Sequence, residues 1–156
     1  VVTLHRPSVV DDDELLGEAL DALRAVSDEL SVVFPVHPRT RAALDRLGAA
    51  ASPPLPLVEP PPSVALLLPV SHAAGVLTDS GGVQKEAYLA GIRCVTMRDT
   101  TEWVETVSSG WNTLVDLDVD AARAALAAPL PQERPDLYGD GHAGARVVAA
   151  VGTLAR

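Results

Sequence analysis

The chain has almost no aromatic residues: one Phe, two Trp and two Tyr in 156 residues, 3% in all. Its core must therefore be built from Ala, Val and Leu, which carry most of the 47% apolar content. Cysteine is nearly absent. Cys94 stands alone inside an apolar run, which excludes a disulfide framework or a cysteine metal cluster and makes it a small buried hydrophobe. Positive charge is scarce as well. Lys85 is the only lysine, the net charge is −9 and there is no basic block. Nucleic acid, which needs a positive face, is an unfavoured partner. A bound nucleotide remains open, because a helix terminus and one or two arginines suffice for it. No apolar run approaches the ~20 residues of a membrane span, and no signal peptide is visible. No membrane is expected as a partner, and a reducing cytoplasm is the simplest compartment.

What the chain does have is an alternation of apolar runs and helix-patterned segments. Strands are expected at Val1–Leu4, Ser31–Val36, Leu55–Val58, Gly75–Thr78, Arg93–Met97 and Thr113–Val115. Helices are expected at Asp11–Leu30, Thr40–Leu47, Val64–Val70, Val83–Ala90, Glu102–Ser108, Asp120–Ala127 and Ala143–Leu154. The acids Asp11 to Glu14 read as a charged first turn, where the helix dipole favours them, rather than as a metal site. Between Ala49 and Pro62 lie six prolines, read as loop, strand, loop within one domain spanning residues 1–156. Strands separated by helices mean parallel pairing and a doubly wound α/β sheet.

In such sheets, ligands bind beyond the carboxyl ends of the strands. The polar, chemically capable residues collect there. His5 and Arg6 follow the first strand, His37 and Arg39 the second, Glu59 the third, Asp79 and Ser80 the fourth, and Arg98 to Thr101 the fifth. The most informative segment is Thr78-Asp79-Ser80-Gly81-Gly82-Val83-Gln84-Lys85-Glu86. A strand, a Ser-Gly-Gly turn and a helix start together make an anion site, because glycine admits close backbone approach and the first helical turn has free N–H groups. Glu86, one turn on, can accept hydrogen bonds from ribose hydroxyls. The segment reads as a nucleotide diphosphate site. The plain alternative is an ordinary strand-to-helix turn with Ser80 as its N-cap.

Asp79-Ser80-Gly81-Gly82-Val83-Gln84-Lys85-Glu86-Ala87 and Arg98-Asp99-Thr100-Thr101-Glu102 closely resemble the non-hydrolysing UDP-N-acetylglucosamine 2-epimerases. Leu4-His5-Arg6, Pro35-Val36-His37-Pro38 and Tyr138-Gly139-Asp140-Gly141 resemble further motifs of that family, in the same order and spacing. The resemblance covers essentially all 156 residues but only the C-terminal half of the usual protein. It implies a Rossmann-like domain, the second of two that face each other in the GT-B arrangement, with the N-terminal domain missing. The absence of an initial Met fits the expectation of a fragment.

The resemblance implies interconversion of UDP-N-acetylglucosamine with UDP-N-acetylmannosamine, or of related 2-acetamido UDP-sugars. The route is elimination of UDP to a 2-acetamidoglucal and re-addition with inversion at C2, with no metal or redox cofactor. Ser80, Gly81 and Gly82 match the family's diphosphate contacts, Glu86 its ribose-binding glutamate, and Leu66 the position that meets uracil. His5 matches the histidine at the active cleft, suited to proton chemistry or leaving-group stabilisation. Arg98 either neutralises phosphate or orients the loop after it. His37 is read as structural, and His72 and His142 as solvated or capping. A homodimer matches the family's habit.

Three departures stand out. Pro7, Ser8 and Val9 follow Arg6 where the family commonly reads His-Arg-x-Glu-Asn. Trp103 stands where many members have a nucleotide-contacting arginine. Pro61 replaces a polar residue near the uracil pocket. The segment Glu102-Trp103-Val104-Glu105 resembles a branch acting on diacetamido-glucuronic acid derivatives of UDP. Because the missing half supplies acidic and phosphate-binding residues, the isolated chain is expected to bind UDP weakly and not to epimerise. The alternatives are the donor-nucleotide domain of a GT-B glycosyltransferase and a non-catalytic UDP-sugar-binding remnant.

Overall fold

A computed structural model describes residues 1–48, 55–60 and 63–154. Its elements run β1 (Val2–Thr3), α1 (Pro7–Val10), α2 (Asp13–Ser27), β2 (Phe34–Pro35), α3 (Pro38–Leu47), β3 (Leu57–Val58), α4 (Ser63–Ser71), β4 (Val76–Thr78), α5 (Gly81–Ala90), β5 (Cys94–Thr96), α6 (Val104–Ser108), β6 (Asn112–Leu114), α7 (Val119–Ala127) and α8 (Ala143–Leu154). No helix among the described residues is long and apolar enough to cross a membrane.

Every strand pair is parallel. The order β1-β4-β5-β6 forms one sheet and β2-β3 a second. The Val2 N–H donates to the Val33 carbonyl at 2.9 Å, just before β2, and joins the two edge to edge. The resulting order is 3-2-1-4-5-6, a doubly wound arrangement with its switch point between β1 and β4.

Alternation along the strands sorts the core into two layers. Leu77 and Val95, paired in register, enter the larger cluster with Leu16, Leu20 and Leu23 of α2 and Ala122 and Ala125 of α7. Val76 and Cys94, the preceding pair, face the other way, onto Val83 and Ala87 of α5 and Val70 of α4. Successive strand side chains point to opposite faces, so both faces need a helix cover. Burial pushes the Cys94 thiol up to about 12, so it is chemically quiet, as its surroundings require.

The helix starts have local causes. The Asp12 carboxylate accepts from the Glu14 and Leu15 amides, so α2 begins at Asp13 rather than at Asp11. Pro38 sits at the first position of α3, where its missing N–H costs nothing, and His37 is the cap. α5 begins at Gly81 rather than Val83, since the Ser80 hydroxyl accepts the Val83 amide. It ends at Gly91, whose φ of +70° suits a residue without a Cβ. One element was not expected: Pro7 starts the short helix α1 with no capping side chain, its ring presetting the helical φ. The second strand is shorter than expected, Phe34–Pro35, because among the described residues the segment before it pairs only through Val33. Residues 49–54, 61 and 62 of the proline-rich stretch, including Pro61, lie outside the described residues.

After α7 the chain crosses back over α5 and α6. Arg134 donates to the Tyr88 and Leu89 carbonyls at 2.8 and 2.6 Å, the last turn of α5. Trp111 Nε1 donates to the Glu133 carbonyl at 2.9 Å, and the Tyr88 hydroxyl to that of Pro135. Tyr138 then donates to Glu105 at 3.0 Å and closes a T-shaped aromatic chain with Tyr88 and Trp103.

Candidate functional site

The end of β1 and the end of β4 are tied at one carboxylate. Asp79, fully buried, accepts the His5 and Arg6 amides on Oδ2, at 2.9 and 2.7 Å. Its own amide donates to the Thr3 carbonyl at 3.2 Å. The two loops that diverge at the switch point are thus held to a fixed separation. The Ser80 amide donates to the Thr78 hydroxyl at 2.9 Å, which turns the chain sharply into α5.

A cleft of about 290 Å³ opens above this junction, lined by His5, Pro35, His37, Pro60, Leu66, Ser80, Gly82 and Glu86 among others. The turn residue Gly82 is exposed at its wall. A Cβ built on Gly82 would meet nothing closer than Ser80 Oγ at 3.9 Å, so the backbone there is open to a ligand. The Gly81 and Gly82 amides, at the positive end of α5, meet no acceptor among the described residues. Partial burial raises the Glu86 carboxyl above its ordinary value. The cleft therefore brings together a free amide at Gly82, the Glu86 acid and the apolar Leu66 and Pro60. That combination suits a group with an anionic part and a flat apolar part.

The imidazoles of His5 and His37 share the cleft, their centroids 5.5 Å apart and tilted by 42°. His37 Nδ1 accepts the Arg39 amide at 3.2 Å, the N-cap of α3. Its ring is thus both structural and cleft-lining. His5 Nδ1 lies 3.2 Å from Asp79 Oδ1.

Five of the residues singled out in the sequence, His5, Leu66, Ser80, Gly82 and Glu86, line the cleft together. Gly81 faces the other side of the turn. A Cβ there would press on Trp103 Nε1 at 3.2 Å and lie 3.4 Å from Glu102 Oε2. Arg98 is also outside the cleft lining. It holds Glu102 by two contacts, 2.9 and 3.1 Å, while Arg6 reaches the same carboxylate at 3.1 Å. This geometry matches the loop-orienting alternative for Arg98. The arginine pair, Arg98 foremost, brings the Glu102 carboxyl down to about 2. His72, with Nδ1 2.9 Å from the Leu68 carbonyl, and the exposed His142 lie elsewhere.

Sequence reasoning did not find two supports of this site. One is the Asp79 anchor; its signal was an acid directly after a strand, already in view but given no partner. The other is a buried polar network. Gln84 Oε1 accepts from Thr101 at 2.6 Å and from Asn112 at 3.0 Å, and Asn112 in turn accepts from Thr96 at 2.7 Å. It fixes the loop after β5 against α5, and its members are too far apart in sequence to be paired by pattern. A larger cavity of about 440 Å³, at the opposite ends of the strands beside Val1, Val33 and Gly75, is largely apolar and holds none of these groups.

Fold and cleft together define a Rossmann-like α/β domain with a cleft at the switch point of its sheet. The model of the UDP-N-acetylglucosamine 2-epimerase family matches residues 1–152. The chain belongs to that family. It is 40% identical, over 99% of its length, to a UDP-2,3-diacetamido-2,3-dideoxy-D-glucuronate 2-epimerase of Pseudomonas aeruginosa, of which it covers 44%. It is 32% identical to a UDP-N-acetylglucosamine 2-epimerase of Methanocaldococcus jannaschii, covering 95% of this chain and 43% of that protein. The crystal structure of the M. jannaschii enzyme with UDP-GlcNAc and UDP superposes with a TM-score of 0.83 over 97% of this chain and 44% of that one, at 30% identity. The chain thus spans less than half the length of these relatives.

Proposed function

We propose that this chain is the nucleotide-binding half of a UDP-sugar 2-epimerase, a single domain over residues 1–156. The observation that carries this reading is the convergence of His5, Leu66 and the Ser80, Gly82 and Glu86 stretch, from three separate segments, on one cleft at the switch point. In this reading, the Gly81 and Gly82 amides and the start of α5 hold the diphosphate. Glu86 takes the ribose hydroxyls, and the Leu66 segment meets the uracil.

Epimerisation then needs only proton and leaving-group chemistry. A base takes the C2 proton, the C1–O bond breaks, and UDP departs with the bonding pair, leaving a 2-acetamidoglucal. UDP returns to C1 while a proton is delivered to the opposite face of C2. The chain's part is to keep the departing diphosphate in place, so that re-addition is not diffusional, and to supply His5 beside the reacting sugar. The acids that complete proton transfer belong to the other half of the protein. Alone, the chain binds UDP and does not turn over.

The substrate favoured is a UDP-2,3-diacetamido uronate. Two features support it: the 40% identity to a relative named for that activity, against 32% for the M. jannaschii enzyme, and the segment Glu102-Trp103-Val104-Glu105.

Calorimetric titration with UDP, UMP and ADP tests the binding reading. UDP should bind best, and Gly82→Val and Glu86→Ala should each weaken it. Equal binding of all three, or no effect of either substitution, would overturn the assignment of this cleft. Adding the N-terminal half of a relative in trans, with C2 proton exchange as readout, tests the epimerase reading. Sugar transfer without exchange would point to a glycosyltransferase instead.

A further inference from the structure

The Asp79 carboxylate is fully buried, yet only one of its oxygens is well satisfied. Oδ2 accepts two backbone N–H groups, from His5 and Arg6. Oδ1 has no well-aligned hydrogen bond, and His5 Nδ1 stands 3.2 Å from it. A buried carboxylate oxygen without a donor is strongly unfavourable, and the nearby imidazole nitrogen can relieve it only by carrying a proton. The other ring nitrogen of His5, Nε2, has no partner among the described residues, and the ring lines the cleft.

We infer that Asp79 is a positioning residue for His5: it holds the imidazole proton on Nδ1 and so presents the Nε2 lone pair to the cleft. Which nitrogen of a histidine is free is set by the hydrogen bond that the other makes. The arrangement makes His5 a proton acceptor toward a ligand in the cleft, and a donor from Nε2 only after it has taken up that proton. The backbone bonds to Oδ2 fix the carboxylate, so the direction of Oδ1 is set by the same contacts that join β1 to β4. His37 shows the converse in the same cleft. Its Nδ1 accepts the Arg39 amide, which leaves the proton on Nε2. The two imidazoles therefore face the cleft with opposite hydrogen-bonding character.

The role given to His5 rests on the epimerase reading, but the tautomer does not, so the two fail separately. The experiment is long-range 15N–1H spectroscopy of the histidine rings in the isolated chain without nucleotide, at a pH where the imidazoles are neutral. His5→Gln and His37→Gln variants assign the signals. His5 should show a protonated Nδ1 and a bare Nε2, and His37 the reverse.

Asp79→Asn keeps an oxygen for the two backbone amides but turns an NH2 toward His5 Nδ1. That group can only donate, so the proton should move to Nε2. In a serine-protease triad the equivalent Asp→Asn change leaves the geometry intact and costs activity through the wrong tautomer. A purely structural Asp79 would leave the ring signals unchanged in a folded Asn variant, and that result would overturn the inference. So would an Nε2–H or an even mixture at His5 in the parent chain, a measurement that holds even where the variant does not fold.

Discussion

Arg98 grips Glu102 through two N–H···O contacts, 2.9 and 3.1 Å, and it is not among the residues that line the cleft. Arg6 shares the carboxylate at 3.1 Å. Two cations on one acid, against the first turn of α5, make a fixed fork. The Arg6 contact also joins the β1 loop to the β5 loop, between residues 96 positions apart in sequence.

Glu102→Gln removes that fork's charge. The Glu102 carboxyl is brought down to about 2, so its stabilisation is complete above the ordinary value near 4.5 and fades as pH falls toward 2. The carboxylate is half exposed, which keeps the effect small, about 0.5–1 kcal/mol at neutral pH. Urea unfolding of parent and variant should differ by this amount at pH 7 and converge only as pH falls through about 2. A constant difference across that range would mean that Glu102 acts through shape, not charge.

Glu86 carries the opposite sign. Partial burial raises its carboxyl, so the folded state holds the proton more tightly than the unfolded chain. Stability from this group is greatest below the ordinary value and declines as pH rises through the raised one. Glu86→Gln should therefore raise the melting temperature at pH 7 and leave it unchanged at pH 4. The same substitution should weaken UDP binding roughly tenfold, the loss of one hydrogen bond to a charged acceptor. Paired melting and titration curves check both halves of this trade.

Gly81 and Gly82 are neighbours with different constraints. A side chain at Gly82 meets only open space, whereas one at Gly81 meets Trp103 Nε1 at 3.2 Å. Gly82→Ala should fold with unchanged or slightly higher stability, since glycine is a poor helix former, while losing about tenfold or more in UDP affinity. Gly81→Ala should show its cost in the melting temperature. Thermal melts and calorimetry on both variants separate the ligand-facing from the packing-facing glycine.

Arg93 is buried, and its guanidinium donates to the Ala125 carbonyl at 2.7 Å and to that of Ala128. These are the closing carbonyls of α7, otherwise left without donors at the negative end of the helix. Desolvation pulls the guanidinium below its ordinary value, yet the carbonyls keep it in place. Arg93→Met should destabilise by about 1–3 kcal/mol, because the Ala125 carbonyl is left without its donor in the interior. Urea unfolding measures it. A change under 0.5 kcal/mol would mean that water replaces the guanidinium.

Much of this architecture is legible in the order of residues. Ser80 followed by two glycines after an apolar run specifies a strand-to-helix turn, since the hydroxyl caps the helix and the glycines open its first turn. Gly91 marks the end of α5 because its φ is positive. The rim residues His5, Ser80 and Glu86 could be placed together from the rule that parallel strands end at one edge. Less legible were elements whose cause lies in distant contacts. α1 depends on the Asp79 carboxylate fixing the Arg6 amide just before Pro7. The strap after α7 depends on Arg134, Trp111 and Tyr138 finding partners on α5 and α6.

The sequence by itself determined the local grammar of this protein: apolar strands, capped helices, a phosphate-type turn and the family they belong to. Those features depend on residues within a few positions of one another, where backbone sterics and hydrogen-bond reach are short-range. Only the tertiary structure decided which residue faces which. It put Asp79 under His5, drew Arg6 onto Glu102 and aimed the Cβ position of Gly81 at Trp103 while that of Gly82 stays open. Those choices follow from strand order and from competition among polar groups for a few buried partners, and neither can be settled along the chain alone.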